Sequence, residues 1–286
     1  MVKQILFIVV VTVASTASAA NLNTVAGNGT PGFSGDGGLA TDAELQSPRG
    51  LSVSSTGTVF FSDLSNARIR AVDSAGIIRT VAGSGAYDGY PGSGDGGLAT
   101  DAQIGTTFSV AIDPTGTLLY IADADDNYVR VVNFNDGTIN AFAGGPFNGI
   151  DGGAENDAIN AGLAAPDGVA VDPVNGNVFI ADSGSCNVRK VDVSASPAHI
   201  SVIAGDPNCT RPDVSLCDSA NPCTGGSVCL SSGFCGLQEG SDAINARFFG
   251  VERIAVDTDG NVFVLDPGAA PSVDPDNKTR KVYRID

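Results

Sequence analysis

Short runs of alternating apolar and polar residues recur along the chain, and a turn sequence follows each run. In the second repeat, one run begins at Phe108, a Pro-Thr-Gly turn follows at 114–116, and further runs cover 118–122, 128–133 and 138–143. A period of two residues is typical of half-buried strands, and Pro and Gly favour turns. Four such strands joined by hairpin turns predict one blade of a β-propeller.

The same unit occurs four times. Its second strand ends in an aspartate each time, at Asp63, Asp123, Asp182 and Asp266. Self-similarity over a long period predicts stacked supersecondary units. We therefore predict an all-β fold, a propeller of four four-stranded blades. The repeats cover about residues 24–78, 79–139, 140–200 and 201–286.

The two ends of the predicted propeller suggest how it closes. The fourth repeat supplies only three strands, whereas residues 22–27 match the fourth strand at 78–83 and precede the first blade. If this N-terminal strand joins the last blade, the ring closes and loses its open edges. We therefore predict a ring that residues 22–27 close within one chain, and hence a monomer.

The first residues have the pattern of a secretory signal peptide. Lys3 precedes an apolar run at 5–13, and Ala-Ser-Ala at 17–19 is a small-residue cleavage site. We predict a signal peptide at 1–19, a propeller at 20–286 and secretion. No membrane insertion is expected, because the apolar run is shorter than the about 20 residues that a bilayer span needs.

The net charge, the cysteines and the glycosylation triplets give further predictions. The chain has 15 basic and 32 acidic residues, a net charge of −17, which disfavours nucleic acid and anionic membranes as partners. Six cysteines in a secreted chain predict three disulfides. They are Cys186, Cys209, Cys217, Cys223, Cys229 and Cys235. Three triplets for N-glycosylation occur, at Asn28, Asn208 and Asn277.

Five of the cysteines lie in one segment, 209–235, inside the last repeat. A segment this short cannot bury a core, so disulfides must stabilise it. Cys186 lies in the link between the second and third strands of the third repeat, on the same predicted face as this insert. We therefore predict that Cys186 attaches the insert to the propeller, with Cys209 as the favoured partner and the other pairings open.

The repeats resemble those of NHL-repeat β-propellers. The resemblance lies in the segments 24–41, 167–182 and 187–192 (Asn-Val-Arg-Lys-Val-Asp). It covers nearly the whole predicted mature chain except the cysteine-rich segment. It implies a propeller used for binding, as in the teneurin ectodomain, or for catalysis in a few secreted enzymes. Members usually have six blades, so a truncated product and a half-ring that pairs are alternatives to the closed four-bladed ring.

A functional face is predicted on one side of the propeller. The links between second and third strands and the loops between blades both emerge there, and both are long. The candidate binding residues on this face are Asp36, Asp95, Asp151 and Asp266. The Gly-Asp-rich loops equally suit helix caps and turns, as in Thr41-Asp42-Ala43-Glu44, which resembles a helix start.

The aspartate that ends each second strand has an arginine partner in the third strand. The expected ion pairs are Asp63 with Arg70, Asp123 with Arg130, and Asp182 with Arg189. Their recurrence favours a structural role, because a catalytic site normally breaks the symmetry of repeats. The fourth copy has Tyr283 in place of the arginine.

The candidate chemistry of the sequence is sparse. Asp123, Asp125 and Asn127 alternate in one predicted loop, where their oxygens could converge on Ca²⁺. The glycine and distant glutamate of an EF-hand are missing, so a solvated loop is the alternative. The one histidine, His199, is predicted on an outer strand, and we identify no catalytic residues and no cofactor other than this Ca²⁺.

These observations favour a secreted binding or scaffold protein. We expect its long-loop face to engage an extracellular protein or glycan, since the sequence shows no catalytic set. The alternative is a calcium-dependent hydrolase or lyase with its site in the central channel. A matrix protein without a discrete ligand is a third interpretation.

Overall fold

The computed structural model describes residues 22–86, 93–145, 156–205, 228–229, 235–236, 243, 246, 248, 251–266 and 281–285. The strands, in chain order, are β1 (Pro48–Val53), β2 (Val59–Asp63), β3 (Arg68–Val72), β4 (Ile78–Ala82), β5 (Thr107–Ile112), β6 (Leu118–Asp123), β7 (Tyr128–Asn133), β8 (Thr138–Ala143), β9 (Asn156–Asp157), β10 (Pro166–Val171), β11 (Val178–Asp182), β12 (Asn187–Asp192), β13 (His199–Gly205), β14 (Val228–Cys229), β15 (Cys235–Gly236), β16 (Arg253–Val256), β17 (Val262–Asp266) and β18 (Lys281–Ile285). Single 3-10 turns cover Ala40–Asp42, Leu64–Asn66, Ala158–Asn160 and Ser183–Ser185. In the described ranges, helices are too short to span a bilayer.

Four antiparallel sheets form the blades. The first three contain β1–β4, β5–β8 and β10–β13 in sequence order, and β16, β17 and β18 form the last among the described residues. The inner strands β1, β5, β10 and β16 lie side by side in that order. This arrangement confirms the predicted all-β, four-bladed propeller. The cysteine-rich insert is described only at β14 and β15, so its predicted disulfide framework lies outside the described residues.

The alternating side chains of the strands pack one blade on the next. Between the first two blades, Phe60 and Ile69 pack in one cluster with Val110, Leu119 and Ile121. The second and third blades meet in the same way, as do the third and fourth. Apolar side chains project from both faces of these strands, so a blade between two others is buried on both sides.

The Gly-Asp-rich loops complete the outer edge of the blades that follow them. In the first blade, Gly37 N–H donates to the Ile78 carbonyl and Ala40 N–H donates to the Gly76 carbonyl, both at 2.8 Å. In the third blade, β9 pairs with β13 in the same position. Each loop therefore covers the backbone groups that an edge strand would otherwise expose.

The glycine at the start of this loop is required by two features. Gly35 has a φ of +90°, and a Cβ atom there would lie 2.7 Å from the Ala43 Cβ atom. The helix start expected near Thr41 is instead the 3-10 turn Ala40–Asp42, whose first residue is buried. The loop therefore closes against its own turn, and the glycine provides the necessary space and backbone conformation.

The structure differs from the prediction at the junction of the two ends. Residues 22–27 form no strand, and the last sheet has three strands among the described residues. Gly27 N–H donates to the Ala40 carbonyl at 2.8 Å, and Ala26 packs beside the apolar cluster of the first blade. The first and last blades are at the two ends of the row of inner strands, so a segment held by the first blade does not pair with β18.

Candidate functional site

The long links of the blades converge on one side, which we call the loop face. It consists of the link after the second strand of each blade together with the loops between blades. In the first blade, Asn66 Nδ2 donates to the Gly32 carbonyl at 2.7 Å. Between neighbouring blades, Ala165 N–H donates to Asn127 Oδ1 at 2.7 Å. These contacts place both classes of link together, as the sequence predicted.

A buried arginine lies beneath the loop face of the first blade. Arg70 Nη1 is 3.2 Å from Asp63 Oδ2, and its Nη2 is 2.8 Å from Asp36 Oδ1. Asp63 also accepts hydrogen bonds from the Gln46 N–H at 2.7 Å and the Asn66 amide at 2.8 Å. Asp63 at the end of β2 and Arg70 in β3 are thus paired, and each makes further hydrogen bonds that offset part of the cost of burial.

The second blade holds the matching arginine differently. Arg130 Nε donates to Asp95 Oδ1 at 3.0 Å, whereas its Nη1 is 4.0 Å from Asp123 Oδ2. The pKa of Asp123 is raised to about 7, mainly by burial and next by the nearby Asp126 carboxylate. The N–H of Gly105 and the charge of Arg130 oppose this rise. Asp123 therefore changes its charge near neutral pH.

The third pair again follows the sequence prediction. Arg189 Nε is 3.1 Å from Asp182 Oδ2, and Ala164 N–H donates to Asp182 Oδ1 at 2.7 Å. All three expected aspartate–arginine pairs are therefore within ion-pair distance. In the fourth blade, Asp266 is buried at the end of β17.

The candidate binding aspartates of the loops take part in these clusters. Asp36 and Asp95 both contact the buried arginine of their blade, and Thr80 Oγ1 donates to Asp36 Oδ2 at 2.7 Å. Their side chains remain 40% and 26% exposed, respectively. Sequence reasoning did not predict these contacts, because each joins residues more than 30 positions apart. The third candidate, Asp151, lies outside the described residues.

The candidate calcium loop uses its oxygens for contacts within the chain. Asp125 Oδ2 accepts hydrogen bonds from the N–H and the hydroxyl of Thr106, at 2.9 and 2.6 Å. Asn127 Oδ1 accepts from Ala165, and Asp123 accepts from the Gly105 N–H at 3.1 Å. Within the described part of the chain, no group of three or more His, Cys, Asp or Glu side chains could hold a metal.

Two predicted modification residues are on the loop face. Cys186 is buried and disulfide-bonded, and it has a φ of 53° directly after the turn Ser183–Ser185. The side chain of its partner is not among those described, so the predicted bond to Cys209 stays a prediction. Asn28 is exposed, and its Nδ2 donates to the Asp42 carbonyl at 3.0 Å. Asn208 and Asn277, like Cys217 and Cys223, lie outside the described residues.

An exposed aromatic residue on the loop face escaped the sequence analysis. The Phe33 ring is 41% exposed, and the Arg68 guanidinium carbon lies 3.8 Å from its centroid. Arg68 is fixed from behind by the carbonyls of Asn66 and Ser84, at 2.9 and 2.7 Å. The second repeat has Gly92 where the first has Phe33. This difference between the repeats is the sequence feature that could have identified Phe33 as a candidate binding residue.

Comparisons with known proteins agree with this fold. The family model of the teneurin NHL domain matches residues 4–91. Teneurin-1 of Mus musculus is 30% identical over 242 residues, and teneurin-m of Drosophila melanogaster is 28% identical over 239 residues. These matches cover 82% and 81% of this chain, and the chain spans 8% of the length of either relative.

A solved structure supports the architecture alone. An auxiliary nutrient binding protein from Bacteroides thetaiotaomicron is similar with a TM-score of 0.51 and 14% identity. The match covers 85% of this chain and 49% of that chain. This likeness concerns the fold alone.

Proposed function

From its membership of the NHL-repeat β-propellers, we propose that this chain is a secreted binding protein that engages an extracellular protein or carbohydrate through its loop face. The observation that carries the proposal is the Phe33–Arg68 pair, an exposed aromatic ring stacked on a fixed guanidinium. Such a pair offers apolar area and hydrogen-bond donors without a large loss of side-chain entropy on binding.

The surroundings of this pair support a binding role. The buried arginines of the first two blades restrain the loops, because each of them bonds to loop residues. A rigid surface loses less conformational entropy when a ligand binds. Cys186, disulfide-bonded on the same face, would hold the cysteine-rich insert on that face through the predicted bond.

The alternative of a calcium-dependent hydrolase or lyase has less support from the described residues. The three oxygens expected to bind Ca²⁺ already accept hydrogen bonds from Thr106, Ala165 and Gly105. A calcium ion needs six or more oxygen ligands. Metal analysis of the purified protein, and thermal unfolding with and without chelator, would distinguish the two functions.

The proposal is tested by binding of the secreted chain to intact cells and to a glycan array. We expect Phe33→Ser to reduce binding at least tenfold, because it removes the stacked ring from the contact. Val174→Ser is the matched control, since Val174 is 72% exposed and lies in the turn between β10 and β11, outside the loop face. Protease or glycosidase treatment of the cells then separates a protein ligand from a glycan.

The insert is tested separately. Deletion of residues 209–235 together with Cys186→Ser should weaken binding and leave the circular dichroism of the sheets unchanged. Full binding by Phe33→Ser and by the deletion variant would contradict the proposed loop-face function.

A further inference from the structure

The first and last blades each present one apolar face to solvent. On the first blade, which we call the front face, Leu51 is 68% exposed and Val53 is 52% exposed. On the last blade, which we call the rear face, Leu265 is 36% exposed and Val282 is 67% exposed. Each face consists of regular strands, so these residues are not isolated surface side chains.

The inner blades show what normally covers these positions. In strand register, Leu51 corresponds to Val110 and Val169, both 3% exposed. Val282 corresponds to Val129 and Val188, both 0% exposed. At these inner positions, the rear face of one blade packs on the front face of the next. The two exposed faces are therefore the two halves of a contact that occurs three times within the chain.

The N-terminal segment occupies a defined place beside the front face. Gly27 N–H donates a hydrogen bond to the Ala40 carbonyl at 2.8 Å. The equivalent bonds ahead of the second and third blades run from Gly83 N–H to the Ala99 carbonyl and from Gly144 N–H to the Ala158 carbonyl, both at 2.9 Å. In those two cases, the residues before the glycine are the fourth strand of the preceding blade, β4 or β8. Residues 22–26 thus precede the first blade as a fourth strand does, but they belong to no sheet of the described structure.

The last blade offers an edge to which such a strand could add. Among the described strands, β18 pairs with β17 alone, so no fourth strand of the last sheet is described. On the front face, a groove of about 290 Å³ lies between the N-terminal segment and the first two strands. Its lining includes Val25, Ala26, Leu45, Pro48, Leu51 and Phe61. A three-stranded blade placed there would fill the groove and gain residues 22–26 as its fourth strand.

We propose that this blade is the last blade of a second copy of the chain. The rear face of each copy packs on the front face of the other, and residues 22–26 of one copy add to β18 of its partner. Two such contacts, related by a two-fold axis, close an eight-bladed ring, which is within the range that propellers adopt. The inference concerns faces distinct from the loop face, so it stands or falls independently of the proposed ligand.

Light scattering of the secreted full chain at micromolar concentration tests the proposal. The expected mass is twice that of one chain. Leu51→Asp and Val282→Asp should each give a monomer, since a charge then enters each contact. Val174→Asp is the control that should stay dimeric, because Val174 is 72% exposed on a turn between β10 and β11. A monomeric unmodified chain, or a mass above two copies, overturns the proposal.

A mixing experiment establishes which faces meet. The Leu51→Asp and Val282→Asp chains carry different tags and are mixed. In the mixed pair, the unmodified rear face of the Leu51→Asp chain can still pack on the unmodified front face of the Val282→Asp chain. We expect the mixture to co-purify, and each variant alone to remain monomeric. Deletion of residues 22–25, which keeps the Gly27 contact, should also abolish the dimer. Failure of the mixture to associate, or a dimer that survives the deletion, contradicts the front–rear arrangement.

Discussion

In the first blade, Arg70 lies within 3.2 Å of both Asp36 and Asp63, whereas in the second blade Arg130 binds Asp95 and stays 4.0 Å from Asp123. The sequence pattern that positions these groups is the same in both blades. The link after the second strand differs between the two blades, and one differing residue contacts the pair in the first blade. Asn66 donates a hydrogen bond to Asp63 at 2.8 Å, and the second blade has Asp126 at that position.

The comparison shows how one link residue acts on a buried aspartate. An amide at this position supplies a donor to the carboxylate, while a second carboxylate repels it. The Asp126 charge contributes to the raised pKa of Asp123. Repeats that share a fold and an ion-pair pattern can therefore place different groups beside the same aspartate.

The largest effect is expected from removal of the arginines. Arg70→Met and Arg130→Met should each lower the free energy of unfolding by about 3–5 kcal/mol, because buried carboxylates lose their partner. Double-mutant cycles with Asp63→Asn and Asp123→Asn, measured by urea denaturation, should give a larger coupling energy in the first blade. Equal coupling energies in the two blades would contradict the structural difference.

A smaller effect is expected from pH. Since folding raises the pKa of Asp123 from 3.8 to about 7, the contribution of this group to stability is complete below pH 3.8 and is lost as the pH rises to about 7. Asp123→Asn should remove this part of the pH dependence. Urea denaturation from pH 4 to pH 8 measures it, and identical slopes for the two proteins would refute the assignment.

Exchange of the link residues makes the comparison sharper. Asp126→Asn should lower the pKa of Asp123 and stabilise the protein at pH 8. Asn66→Asp should destabilise it there by about 1–3 kcal/mol, through loss of a hydrogen bond to a buried charge. The matched measurement is the free energy of unfolding at pH 8. The changes in the free energy of unfolding for the two substitutions should have opposite signs.

The smallest effect concerns the backbone of the same link. Ala67 and Asn127 both have positive φ, at 46° and 60°. Ala67→Gly should stabilise the protein by about 1 kcal/mol, because alanine is strained in this conformation. Asn127→Gly should not, since it removes the hydrogen bond from the Ala165 N–H. Thermal unfolding compares the two, and equal shifts would show that the Asn127 side chain contributes nothing.

Local patterns predicted most of the strands. The expected strands at 128–133 and 138–143 have the observed bounds, because alternation and turn residues act over short distances. The recurrence of Asp and Arg also predicted the three ion pairs. These features depend on residues that are neighbours in the sequence or repeat at fixed intervals.

The remaining features depend on contacts across long separations. Nothing near Asp36 in the sequence indicates that it reaches Arg70, 34 positions away. Placement of residues 22–27 depends on the relative positions of the first and last blades, which no local pattern encodes. The raised pKa of Asp123 requires burial and the position of Asp126, which only the folded chain provides.

The contacts of the Gly-Asp-rich loop define which stretch of chain could be copied or grafted as a whole. The loop that begins at Gly35 bonds to β4 and to Arg70, which follow it in the sequence. A module cut at Gly27 and Gly83 keeps all these partners together, whereas a cut at the start of β1 separates them. A blade that is transplanted or duplicated with its boundaries at these glycines, ahead of the loop, should therefore fold with its loop contacts intact.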